Sequence, residues 1–184
     1  AARHLIPYLA DAVPGWFQAV VAVYDPSGTE VAYADDYRFN PDPALVCVLP
    51  EDGVYELEIR DSIYRGREDF VYRAAVGELP FITHAFPIGG QAGTATVAKI
   101  GGYNLTTDSL ALDTTPGSEV TRQANLVVGD YRSNDVLYAV NDVPECLEAE
   151  ADETQQITLP TVVNGRIETP GDIDVFTIEG QAGD

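Results

Sequence analysis

The chain has 184 residues, of which 45% are hydrophobic, enough for one large sandwich or two small domains and too apolar for a disordered chain. Thirty acidic against ten basic residues give a formal net charge of −20, and Lys99 is the single lysine. That balance argues against nucleic acid as a partner, because phosphate binding rests on clustered cations, and it fits a solvated surface at the cell exterior.

No run of about 18 apolar residues is present, so no membrane span is predicted. The chain opens in AARHLIPYL, without an initiator Met or a signal-peptide pattern. We therefore expect a piece of a longer polypeptide whose targeting information lies upstream. Residues 3–13 read as a strand or a short loop, with Pro7 and Pro14 weakening either reading. Residues 17–24, FQAVVAVY, have the β-branched and aromatic content of a strand. Asp25-Pro26-Ser27-Gly28 then predicts a type I turn and a partner strand over 29–34. Residues 35–43 form a loop with two prolines. Next, ALVCVLPEDGVYELEIR over 44–60 predicts a hairpin: 45–49 and 54–60 as strands, with Tyr55, Leu57 and Ile59 on the buried side. Phe70, Tyr72, Ala74 and Val76 share one face of a further predicted strand.

A boundary is expected near residues 77–80. Residues 80–142 carry short strands and Gly-rich turns at the spacing of a small immunoglobulin-like sandwich. Residues 143–153 read as an acidic linker, and 154–184 as the opening strands of another sandwich. The predicted fold is all-β, a jelly-roll-like β-sandwich over 1–79 joined to an immunoglobulin-like one. Cys47 and Cys146 stand 99 positions apart and are expected to be unrelated thiols.

Glu148 to Glu153, Val163-Asn164-Gly165-Arg166-Ile167 and Gly171-Asp172-Ile173-Asp174-Val175-Phe176 follow an order that resembles the start of the bacterial pre-peptidase C-terminal domain. Residues 20–76, with Gly28, Ala34-Asp35-Asp36 and Gly53-Val54-Tyr55, resemble its remainder. The middle, through Pro80, Ile82, Pro87, Gly90, Gly93, Gly102 and Asn104, is similar to the immunoglobulin-like domain shared by plexins and transcription factors. Thr96 to Gly102 is one residue longer than that pattern, so a shifted register or a bulge is expected there. The arrangement resembles segments of large, multi-domain secreted bacterial proteins. It implies an incomplete sandwich at each end, for which completion by a neighbour or by residues outside this chain is expected over closure within the chain.

Calcium requires six to eight hard oxygen ligands, and alternating acids on an extended segment with a nearby Asp-x-Asp supply them. Glu148, Glu150, Asp152, Asp172 and Asp174, with Glu153 beside them, are therefore candidate Ca2+ ligands, a role the resemblance also implies. The competing reading is a solvated acidic linker. Asp35, Asp36, Asn40 and Asp42 are read as an ordinary turn. Tyr64, Arg65 and Arg67 lie in the one cation-dense stretch and are candidates for contacting an anionic glycan or a protein, against a self-paired hairpin tip. Trp16 and Phe17 read as core before a sugar platform. His4 and His84 lack partners at metal spacing, and no nucleophile elbow, phosphate loop or His-Glu-x-x-His element occurs, so no catalytic residue is assigned. The expectation is a non-catalytic, extracellular spacer, adhesion or targeting module whose partner is a protein or polysaccharide at the cell exterior. A self-assembling unit with unpaired strands is the alternative. A carbohydrate-binding module would need an exposed aromatic row, which the sequence does not display.

Overall fold

The computed structural model describes residues 17–38, 40–149 and 154–181, so the readings placed on 3–13, Trp16 and His4 lie outside the described residues. Described residues form strands, turns and loops only, in an all-β chain with no helix among them. Two compact units divide at Val76 and Gly77.

In the first unit, β1 (Ala19–Tyr24) lies between β2 (Glu30–Ala34) and β3 (Glu56–Asp61), all antiparallel. The β1–β2 connection is the predicted turn: the Gly28 N–H donates to the Asp25 carbonyl at 2.9 Å. The Asp25 carboxylate accepts from the Ser27 N–H, the Ser27 hydroxyl and the Thr29 N–H, and these hydrogen bonds hold it below the usual carboxylate range. Register separates the two faces of the sheet. Val21 lies opposite Ala34 and Ile59, and Val23 opposite Ala32 and Leu57, giving one apolar face. That face is only partly covered: Val21, Val23 and Ile59 are half-buried and Leu57 is 43% exposed.

The predicted 44–60 hairpin does not form. β3 pairs with β1, and residues 43–50 carry no ladder. Pro43 and Pro50, which fix φ and lack an N–H, bracket that run. Gly53 explains where the chain goes instead, because a Cβ there would meet Pro26 Cγ at 2.3 Å: the 51–55 loop packs on the β1–β2 turn and delivers the next strand to β1. Val48 is left 91% exposed. The predicted 70–76 strand is likewise absent; the rings of Phe70 and Tyr72 lie 5.6 and 6.5 Å from buried Phe17.

The second unit contains a closed sandwich. Its strands are β4 (Phe81–Phe86), β5 (Gly89–Gln91), β6 (Thr96–Tyr103), β7 (Ser109–Leu112), β8 (Thr121–Ala124), β9 (Val127–Val128), β10 (Tyr131–Arg132) and β11 (Val136–Asn141). One sheet has the order β4-β6-β7 and the other β5-β11-β8, with β5 parallel to β11 and β9 and β10 forming a separate ribbon. Period-2 alternation sends Ile82, Ala98, Ile100, Leu110, Leu112, Tyr138 and Val140 into one core. The Tyr138 hydroxyl donates to the Asp113 carbonyl and accepts from the Asp113 N–H, so this ring is buried with its polar tip satisfied.

The β4–β6 ladder does shift register, and the extra residue is on β4, at Thr83, not within 96–102. At Gly102 a Cβ would meet the Phe81 carbonyl oxygen at 2.0 Å, so the strands close only over glycine. Beside the irregularity, the Asn134 amide accepts from the Ile82 N–H at 2.7 Å and donates to the Ile82 carbonyl at 3.0 Å, substituting for a ladder neighbour.

Beyond the sandwich, β12 (Glu145–Leu147) pairs in parallel with β14 (Val162–Asn164), and β13 (Gln155–Gln156) with β15 (Phe176–Thr177). The expected linker at 143–153 thus contains a strand. The Glu145 carboxylate, accepting from Asn141 and Asn164, fixes it to the end of β11 and to β14. These ladders of three and two residue pairs are small, and Ile167, Ile173 and Ile178 are exposed around them.

Candidate functional site

Charged and aromatic side chains gather in three places, the first of them the cation-dense stretch. Asp61 ends β3 and is 3% exposed. Its carboxylate accepts from the backbone N–H groups of Gln18, Ile63 and Arg65 and from the Arg65 guanidinium at 3.0 Å through both Nε and Nη2. The Arg65 hydrogen bonds, followed by those from the backbone, hold Asp61 far below the usual carboxylate range against the opposing effect of burial. Of the three residues predicted to bind here, Arg65 is therefore the clamp of a turn. Arg67 forms a two-pronged pair with Asp69 at 2.7 and 3.0 Å and lies over the Phe70 ring. Tyr64 is different: it is 79% exposed and adopts φ of 60°, a left-handed conformation that a bulky side chain rarely takes.

Around this turn the second face of the β2-β1-β3 sheet gathers groups that the sequence reading did not bring together. Tyr33 and Glu58 both lie opposite Ala22, and Arg60 lies opposite Val20. Val20 and Ala22 are 1% exposed, small residues between long ones. The Arg60 guanidinium donates to Glu58 at 2.8 Å and lies 4.6 Å from the centre of the Tyr64 ring. Burial opposes the charge on Arg60, but the Glu58 hydrogen bond and the nearby Tyr64 and Tyr33 raise its affinity for the proton above the ordinary value. Burial, then Glu58 and Glu30, push the Tyr24 hydroxyl up, placing Tyr24 in the same neighbourhood. The signal was partly available in the sequence: Glu56, Glu58 and Arg60 take one parity of β3 while Leu57 and Ile59 take the other.

The acidic tail gives the third arrangement. Glu148 follows β12, and its Oε2 accepts from the Arg166 N–H at 2.6 Å. A Cβ on Gly165 would meet Glu148 Oε2 at 2.7 Å and Asp174 Oδ2 at 3.3 Å, so both carboxylates converge on one glycine. Burial, then Glu148 and Asp172, raise Asp174 above the ordinary carboxylate range. Asp172 itself accepts from the Glu168 N–H at 2.7 Å. Glu150, Asp152 and Glu153, the other predicted ligands, lie outside the described residues. Among the described residues no group of three or more His, Cys, Asp or Glu is placed to hold a metal ion. Glu148 and Asp174 supply the kind of hard oxygen that Ca2+ takes, but as a pair they fall short of its coordination number.

Elsewhere, a surface depression of about 480 Å³ beside β8 and β11 is bordered by Arg122, which already donates to the carbonyls of Asp113, Thr115 and Glu119. Cys47 and Cys146 are free thiols. No helix among the described residues is long and apolar enough to cross a membrane. No protein-family model matches the chain, and neither a curated protein nor a solved structure matches it.

Proposed function

We propose that this chain is a non-catalytic β-sandwich module at the cell exterior, serving as a spacer, adhesion or targeting part of a larger secreted or cell-surface protein. The supporting observation is how the charged side chains are engaged: Asp25, Asp61 and Arg122 are occupied by backbone groups of their own turns, which stiffens a scaffold without preparing a reaction. A net charge of −20 suits an exposed module that stays dispersed. Antibodies raised against the chain are expected to label intact, unpermeabilised cells or the culture medium; labelling that requires permeabilisation would overturn the location. Calcium would bind through Glu148 and Asp174 together with Glu150, Asp152, Glu153 and Asp172, relieving carboxylate repulsion. Titration with calcium should then release or absorb heat and raise the melting temperature. A flat titration together with an unchanged melting temperature removes calcium from the proposal.

The edge strands β2 and β3 of the three-stranded sheet favour a second reading, in which a neighbouring copy supplies strands to them. Sedimentation over a wide concentration range tests it: progressive chains are expected, and a constant monomer mass sinks it.

A further inference from the structure

From the exposed side chains that flank buried Val20 and Ala22 on the β2-β1-β3 sheet we infer that the chain binds a neutral, extended polysaccharide, with Tyr33 and Tyr64 stacking on sugar rings and the Arg60–Glu58 pair meeting hydroxyl groups. The inference rests on the targeting reading above and names its ligand class. Sugar rings present flat C–H surfaces, which pack on exposed aromatic faces, and dense hydroxyls, which take donors and acceptors at once. Tyr33 is 46% and Tyr64 79% exposed, so both rings offer area to a ligand. One side of Tyr64 is held by the Arg60 guanidinium at 4.6 Å, and the turn that carries it is fixed by Asp61, so the ring is arranged before any ligand arrives. Arg60 and Glu58, joined at 2.8 Å, present a donor and an acceptor side by side.

Charge decides between sugar classes. Glu30 and Glu58 accompany Arg60 around Tyr24, and the whole chain carries −20, so an acidic glycan meets repulsion both locally and at a distance. The nearby cations do not compensate, because Arg65 and Arg67 are bonded to Asp61 and Asp69.

The test is affinity electrophoresis and pull-down of the full chain with cellulose, chitin, mixed-linkage glucan and galactomannan, with alginate and a proline-rich peptide as comparisons, each with calcium and with chelator. At least one neutral polysaccharide should retain the chain, and Tyr33→Ala and Tyr64→Ala should each weaken retention about tenfold. Tyr131→Ala, in the other unit and also exposed, should leave it unchanged. Should Tyr33→Ala unfold the sheet, Tyr33→Leu keeps side-chain bulk without the planar ring and should lose binding with an unaltered melting curve. Retention by none of the neutral polysaccharides, full binding by the tyrosine variants, or preference for alginate or the peptide overturns the inference. Cell-surface labelling without polysaccharide binding defeats this inference alone, whereas polysaccharide binding by a chain confined inside cells defeats only the location.

Discussion

The sandwich of residues 81–141 and the sheet of residues 19–61 are built from the same alternation, yet only the first covers its apolar face. In the sandwich, Ala98 is 0% and Ile100 4% exposed because a second sheet brings Tyr138 and Val140 over them. In the other sheet Leu57 keeps 43% exposure, and a partly buried ion pair between Asp61 and Arg65 anchors the end of the strand. The lesson is that period-2 patterning makes a strand, whereas burial is decided by what the rest of the chain lays on top. The first region draws its stability from packing and the second, to a greater degree, from directed hydrogen bonds.

That contrast is open to attack by mutation, with hydrogen exchange on the full chain reporting each region separately. The largest expected loss is in the sandwich core, where Ile100→Ala removes a fully packed side chain and should cost about 4 kcal/mol for its amides. Leu57→Ala, the matched deletion in the open sheet, should cost under about 1.5 kcal/mol, and an equal cost in both would break the contrast. Asp61→Asn should cost about 3 kcal/mol in the 19–61 sheet, because Arg65 loses its partner while remaining 24% exposed. Asn134→Ala should cost about 2 kcal/mol by leaving the Ile82 backbone unpaired.

Acid should separate the two regions as well. The Asp61 value is depressed in the folded state, so its contribution is complete above the unfolded value of about 3.9 and fades as pH falls through the folded value. Protection of the 19–61 sheet should therefore decline below about pH 4 while the 81–141 core persists. Asp174 has the opposite sign: its raised value gives a contribution present below the unfolded value and lost as pH rises through the folded one. The smallest effect follows from this. Asp174→Asn should raise the neutral-pH melting temperature slightly and reduce any gain from calcium, as read by calorimetry.

Much of the 81–141 region was legible in its residues. Ala98 and Ile100, Leu110 and Leu112, and Tyr138 and Val140 alternate as a half-buried strand requires, and glycines mark where strands meet closely. Residues 45–49 were misplaced, because an apolar run looks like a strand locally whereas the ladder position beside β1 goes to β3. The family resemblance assigned an extra residue to 96–102, whereas the ladder places it at Thr83. The Asp61–Arg65 spacing was visible, but not its consequence, since backbone donors from Gln18 arrive across 43 positions. Tyr33 and Arg60 went unpaired for the same reason: strand order decides that both flank β1, and local pattern does not contain strand order.

The Asp61 carboxylate has a consequence for how this surface could change over evolutionary time. It grips the main chain at Ile63 and Arg65 while leaving the side chains of Ile63 and Tyr64 outside the knot, 66% and 79% exposed. Those two positions are thus interchangeable fingertips on a preset knuckle, with Asn or Gly favoured at the second because they accept its left-handed backbone without strain. Side chains there can be exchanged without disturbing the main chain beneath them.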